Sequence, residues 1–205
     1  MGESFVCNGS SIVDENGQLK VTQGDLGDAF DVFGLPATFN LDGDEFEKRY
    51  IQLSKLTHPD HSNSQDQETS KVLLSLSALV NSAYQELKSP LSRAETLLTR
   101  LERQSGLQCD VKDLPGGFLM EMLELQEELD DFRINPEDHE DRLEKLEEEM
   151  EAGIQKIQKE LDLHFKEALR ECGVKQLQTI RTSLNQVKYF QRVATTVEEL
   201  LDECE

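Results

Sequence analysis

The sequence predicts an all-α protein built from two helical modules: a helical hairpin closed by a sharp turn, then a three-helix bundle. Three observations carry this. Beyond residue 23, apolar residues recur three and four apart in almost every segment, and no run alternates with the period of a strand. His58-Pro59-Asp60 interrupts two such helical patterns, and Pro59 cannot continue a helix because it lacks a backbone N–H and disfavours helical geometry at His58. After the break at Pro115-Gly116-Gly117 come one shorter helical pattern and two that are too long for a small globule unless they pack side by side.

The elements follow in order. Residues 1–23 mix Gly, Ser, Asn and Gln with little periodicity and read as a mobile tail. Phe30 to Phe33 forms a short helix ended by Gly34-Leu35-Pro36. Asp42 opens a second helix, with Glu45 three residues on in the capping-box arrangement and Phe46, Tyr50 and Leu53 at helical spacing. Residues 61–67 are a polar loop. A third helix runs from about Asp66 to Lys88 with Leu73, Leu76, Val80, Ala83 and Leu87 inward. Ser89 caps a fourth, which begins with Pro90 at its first position and turns Ala94, Leu97, Leu98 and Leu101 to the core. These helices make a first module over 24–102, and 103–117 reads as a linker. The second module, 118–205, holds a helix from Phe118 to Phe132, a long one from near Pro136 to about Glu171, and a last one from about Val174 to Glu203. The inward stripe of the long helix is Leu143, Leu146, Met150, Ile157, Leu161 and Ala168. That of the last is Leu177, Ile180, Leu184, Val187 and Ala194.

Composition excludes several functions. The formal net charge is −21 and the pI about 4.5, so the surface as a whole repels phosphate backbones and anionic lipid; no nucleic-acid or membrane partner is expected. No apolar run reaches the roughly 20 residues of a membrane span. Met1 to Gln23 lacks the basic and apolar regions of a secretory signal, is acidic and free of arginine unlike an intact mitochondrial presequence, and has Val6 where a myristoylation motif needs Ser or Thr. Cys7, Cys109, Cys172 and Cys204 have neither C-x-x-C spacing nor a nearby His, and read as free thiols of a reducing compartment. Most of the negative charge lies in the second module, where the bland reading is a solvated outer face of long helices.

No catalytic constellation is present: there is no Gly-rich phosphate loop, no G-x-S-x-G elbow and no zinc-protease motif. His58 and His61 beside Asp60 admit a metal or acid–base reading, but a turn between helices is a convex tip, whereas hydrolysis needs a concave, water-excluding pocket. Docking is the other reading. Lys48, Arg49 and Lys55 make the helix before the turn the most basic short stretch of a very acidic chain, and a local positive face steers an acidic partner. Taken alone, those three are ordinary surface cations.

Helix, His-Pro-Asp, helix resembles a J-domain, the module with which co-chaperones activate seventy-kilodalton heat-shock chaperones. Phe33-Gly34-Leu35-Pro36, Val80-Asn81-Ser82-Ala83-Tyr84, Pro90-Leu91-Ser92-Arg93-Ala94-Glu95, Phe118-Leu119-Met120-Glu121 and Leu125-Gln126-Glu127-Glu128-Leu129-Asp130 extend the likeness over about residues 27–203. Together they resemble the HscB (Jac) family of iron–sulfur cluster biogenesis. The resemblance implies a non-enzymatic ATPase activator with no cofactor or metal of its own. Its partners would be a DnaK/HscA-type chaperone, met by His58, Pro59, Asp60 and the basic helix, and an IscU-type scaffold, met by the C-terminal bundle. It also implies a bacterial cytoplasmic location, with the mitochondrial matrix as alternative. His61 and a polar run follow the signature where the family usually has a basic residue, and Cys7 alone cannot supply the two C-x-x-C pairs of the zinc module that some relatives carry at their N-terminus. A general J-protein with another client, and a coiled-coil assembly factor, are the rival readings.

A helical wheel gives separate support for a client surface. On the helix from Phe118, the stripe Phe118, Met122, Leu125, Leu129 and Phe132 faces the bundle. At about 100° per residue, Leu119 and Leu123 fall off it beside Glu127, and Met120 beside Glu124. On the last helix Tyr189 leaves the inward stripe, on the side shared by Val193. The scaffold-binding positions implied by the resemblance are Leu119, Met120, Leu123, Glu124, Glu127 and Tyr189. The competing reading is that the two helices cover each other's second patches.

Overall fold

The computed structural model describes residues 11–14, 18–19, 26–58, 67–109 and 114–204. The fold is all-α, and the chain divides into two compact units, 1–100 and 101–205. Helices α1 (Ala29–Phe33), α2 (Gly43–Thr57) and α3 (Gln67–Lys88), with most of α4 (Pro90–Ser105), belong to the first. The second holds the last turn of α4 followed by α5 (Phe118–Phe132), α6 (Glu140–Arg170) and α7 (Val174–Asp202). α4 thus runs on past residue 102, where the first module was expected to end; it gives way at Gly106, whose φ of 67° is left-handed backbone that glycine adopts without strain.

In the first unit α2 and α3 pack as a hairpin with α1 laid against α3. Phe30, Phe33, Phe46, Leu53, Val80, Ala83 and Leu87 are buried there, and Phe46 bridges Phe33 edge-on and Tyr84 face-on, each at 5.2 Å. The stack continues from Tyr84 to Tyr50 at 3.9 Å. Tyr84 donates to Glu47 at 2.8 Å, and this bond to a carboxylate, more than burial, holds the phenol pKa above its ordinary value. α1 is only five residues long and owes its ends to caps. Asp28 and Asp31 form a reciprocal capping box, and Arg100 of α4 bridges both carboxylates at 2.8 and 2.9 Å. α4 is capped as its sequence suggests, by Ser89 Oγ accepting from the Ser92 N–H at 3.1 Å. Arg93 donates to Leu87, Lys88 and Phe39 carbonyls, closing the open C-terminal end of α3.

Two expectations change here. The mobile tail expected over 1–23 does not hold at 11–14 and 18–19. Ile12 and Val13 are buried, the Ser11 N–H donates to the Asp31 carbonyl of α1 at 2.8 Å, and Val13 bridges Leu19 antiparallel. Two adjacent apolar residues among polar ones have no periodicity to announce them, yet they suffice to seat a segment on α1. The capping box expected at Asp42 is half made: Asp42 accepts from the Glu45 N–H at 3.0 Å, but the Glu45 carboxylate bonds Arg49 at 2.6 Å.

In the second unit α6 and α7 are long partners, and α5 packs on α7. Leu125, Leu129 and Phe132 of α5 join Leu143, Leu146 and Met150 of α6 and Val193, Val197 and Leu200 of α7 in one core. Val193, expected off the core beside Tyr189, is therefore inside it, while Ala194 is half-buried against the same cluster. Further along α6, Ile157, Leu161, Phe165 and Ala168 are buried, as are Leu177, Ile180, Leu184 and Val187 of α7. Phe165 was absent from the expected stripe. α6 begins at Glu140 rather than Pro136, because a separate 3-10 turn, Pro136–His139, intervenes and stacks the His139 ring on Phe132 at 4.2 Å.

Candidate functional site

The first candidate surface is α2. His58 ends it with φ −67° and ψ 131°, the extended geometry imposed on a residue before proline, and its N–H reaches the Lys55 carbonyl at 3.4 Å. His58, Lys48 and Lys55 are exposed, with Ile51 exposed on the same side. Pro59, Asp60 and His61 lie outside the described residues. Arg49 departs from the expected basic face. Its guanidinium donates to the Phe33 and Gly34 carbonyls at 2.8 and 2.7 Å while Nε bonds Glu45, leaving the side chain 16% exposed. Those carbonyls are the open end of α1, beside the left-handed Gly34 cap. Arg49 therefore closes a helix end and does not share the exposed face of Lys48 and Lys55. The sequence shows a cation on α2 but not the carbonyls of a turn that lies 16 residues earlier.

The second candidate surface lies on α5 and α7. Leu119, Met120 and Leu123 are 49%, 65% and 55% exposed, so neither α7 nor any other described segment covers them. Glu124 and Glu127 are exposed on the same helix. Tyr189 is half-buried. Its ring meets Phe118 edge-on at 6.1 Å, and Phe118 meets Phe190 the same way at 5.3 Å. Phe190 in turn lies over Gly153 of α6, where an added Cβ would sit 3.0 Å from the ring. Phe118 thus anchors the first turn of α5 on α7, and Leu119 and Met120 follow it outward. The reading in which two helices hide each other's second patches does not hold for α5; it holds for the part of Tyr189 that Phe118 covers. Sequence reasoning missed Arg192, whose guanidinium carbon is 5.7 Å from the Tyr189 ring centroid. The signal was available as the i+3 spacing of the two residues.

Among the described residues no group of three His, Cys, Asp or Glu side chains could hold a metal, and no helix is long and apolar enough to cross a membrane.

A family model described as the HSCB C-terminal oligomerisation domain matches residues 114–198. A co-chaperone protein HscB homolog of Pseudoalteromonas atlantica is 38% identical over 133 residues, which cover 64% of this chain and 74% of that protein. The chain belongs to the HscB co-chaperone family. Solved structures agree on the fold. Chaperone HscB from Vibrio cholerae superimposes with a TM-score of 0.71 at 26% identity, covering 87% of this chain and all of that one. Human co-chaperone protein HscB gives a TM-score of 0.72 at 21% identity, covering 92% of this chain and 89% of its own. Membership accounts for the architecture, a helical hairpin with a His-Pro-Asp signature followed by a C-terminal bundle, and fits a protein that acts on partners rather than as an enzyme.

Proposed function

We propose that this HscB-family protein is a two-headed adaptor of iron–sulfur cluster assembly. The α5–α7 surface binds an IscU-type scaffold, and the 24–102 module engages a DnaK/HscA-type chaperone through His58, Pro59, Asp60, Lys48 and Lys55 to accelerate its ATP hydrolysis. Asp60 engages a cation of the chaperone by a charge-assisted hydrogen bond, and Pro59 fixes the turn that presents it. Carrying both sites in one chain raises the effective concentration of scaffold at the ATPase. Among the described residues Cys109, Cys172 and Cys204 are free thiols, which fits the bacterial cytoplasm, with the mitochondrial matrix as the other reducing compartment of the same chemistry.

The observation that carries this reading is the exposed Leu119, Met120 and Leu123 patch continuing from the Phe118–Tyr189 contact. An apolar patch with a tyrosine at its edge and acids beside it has the make-up of a protein interface: a hydrophobic centre, an aromatic anchor and a polar rim. Replacing Leu119, Leu123 and Tyr189 by alanine is expected to weaken scaffold binding by at least about tenfold, with helicity unchanged by circular dichroism. Asp60→Asn is expected to abolish ATPase stimulation and leave scaffold affinity intact. Undiminished scaffold binding by the triple variant sinks the client surface. Stimulation without any scaffold binding by the wild type points to a J-protein with another client.

A further inference from the structure

The outer face of α6 changes sign along its length. From Glu140 to Glu151 the helix carries seven acidic and two basic side chains; from Ala152 to Arg170 it carries three acidic and four basic ones. At about 100° per residue the four cations of the second stretch, Lys156, Lys159, Lys166 and Arg170, all fall within about 60° of Leu163. The buried Ile157, Leu161, Phe165 and Ala168 lie on the opposite side of the helix, so this stripe faces away from the bundle. Leu163 stands at its centre and is 61% exposed. Lys156, Lys159 and Arg170 are exposed and form no ion pair with any described residue. Lys166 is held by Asp162 at 2.6 Å, yet its side chain stays 59% exposed. Glu160 and Glu167 border the stripe on one side and Asp162 on the other, and no acid falls between the cations.

We propose that this stripe is a second contact for the DnaK/HscA-type chaperone, taking a short acidic segment of it that carries an apolar residue for Leu163; this rests on the reading of the chain as an adaptor. Charge and length select the occupant. The cations span residues 156–170, about 21 Å of helix. Two turns earlier the same face bears Asp141, Glu148 and Glu149, all exposed. A nucleic-acid duplex or a lipid surface runs on past the stripe and meets those carboxylates, whereas a protein segment can end short of them. Leu163 offers a phosphate chain nothing to bury, but it suits a partner with hydrocarbon among its acids. Charge also chooses between the two partners of the adaptor reading. Glu124 and Glu127, beside the scaffold's seat, ask for a basic surface; Lys48 and Lys55 of α2 ask for an acidic one. The chaperone is therefore the partner whose charge suits α6. Once α2 has docked, a second contact on the same chain forms at raised effective concentration. It sets the concentration at which the chaperone is engaged and leaves the maximal rate to the His-Pro-Asp turn.

The test titrates the ATPase of the cognate DnaK/HscA-type chaperone with the full chain at 50 and 300 mM NaCl, between which the Debye length falls from roughly 14 Å to roughly 6 Å. Lys159→Glu combined with Arg170→Glu is expected to raise the half-maximal concentration about tenfold or more at low salt and by no more than about threefold at high salt. Maximal stimulation and scaffold affinity should stay at the wild-type values. Lys156→Glu is expected to act in the same direction by about threefold at low salt, and serves should the double variant fold poorly. Leu163→Ala should raise the half-maximal concentration alike at both salts. Charge reversals within twofold of wild type at 50 mM, with Lys48→Ala and Lys55→Ala together impaired, overturn the α6 contact and leave the α2 docking face standing. An equal loss of scaffold affinity assigns the stripe to the client and overturns it too. So does wild-type self-association in sedimentation that the reversals abolish, since the occupant is then a second copy of this chain. A wild-type chain that does not stimulate the chaperone overturns the adaptor reading and this inference with it.

Discussion

Arg49 and its neighbours on α2 separate two uses of a cation. Lys48 and Lys55 project from the helix into solvent, while Arg49 reaches back to the carbonyls that end α1 and is neutralised by Glu45. Nη1 donates to both carbonyls while Nε, a second nitrogen of the same rigid group, holds the carboxylate, a division of labour that the single nitrogen of an ammonium cannot make. Removing it leaves two helix-end carbonyls and a carboxylate without their donor. Arg49→Ala should therefore lower stability by about 2 kcal/mol in chemical denaturation, the range of hydrogen bonds to a charged group. It should still stimulate the chaperone ATPase normally at a temperature where the variant is fully folded. Lys48→Ala together with Lys55→Ala should show the converse, unchanged stability and weakened stimulation. A loss of stimulation by fully folded Arg49→Ala would return Arg49 to the docking face. Position in sequence made all three residues look alike. What distinguishes Arg49 is a contact across a glycine-capped turn, and no local pattern encodes that.

At the scale of elements, legibility followed periodicity. Of the α5 stripe, Phe118, Leu125, Leu129 and Phe132 are buried and Met122 is half-buried, and the residues its wheel sets aside are exposed, because α5 is short and packs with a single face. α7 was read less well. Its buried residues move from the Leu177, Ile180, Leu184 side toward Val193, Val197 and Leu200, since α6 runs along its length while α5 joins the core only over its later turns. One straight stripe could not describe a helix whose neighbours change, and Val193 was misplaced for that reason. The same junction hides a constraint with no sequence signal, the approach of Phe190 to Gly153. Alanine at 153 would gain about 1 kcal/mol of helix propensity over glycine. Against that, its Cβ would stand 3.0 Å from a ring that also packs edge-on with Phe118, and overpacking of this kind costs about 1–3 kcal/mol. Gly153→Ala is accordingly expected to destabilise, and the same change made in a Phe190→Leu background to stabilise. A thermal-melt cycle of the four proteins reads the sign. Stabilisation by Gly153→Ala alone would show that Phe190 can yield, and that the seat of Phe118 is softer than its geometry implies.

For the whole molecule, charge acts in two opposed directions. The net charge of −21 is self-repulsion that the folded state concentrates and the unfolded chain spreads out. One dense stretch of acid lies at the start of α6, where Glu147, Glu148, Glu149 and Glu151 crowd together and Arg142 is shared between Glu128 and Glu149. Those carboxylates hold the Arg142 guanidinium pKa above its ordinary value, chiefly through the bond to Glu128. Raising NaCl from 10 to 150 mM shortens the Debye length from about 30 Å to about 8 Å, less than the span of these helices. Screening relieves the repulsion more than it weakens the few exposed ion pairs, which contribute about 0–1 kcal/mol each. The Tm should therefore rise with salt, and each kcal/mol gained would appear as roughly 2–4 °C for a chain of this size. Binding through the cationic face of α2 should weaken over the same interval, because the attraction between Lys48 or Lys55 and an acidic partner is screened as well. A salt series of melting curves beside a salt series of chaperone titrations thus has a signed expectation: stability up, affinity down. If Tm were flat or falling with salt, the acidic face would be paired well enough that net charge does not limit the fold, and screening of ion pairs, rather than relief of repulsion, would set its salt response.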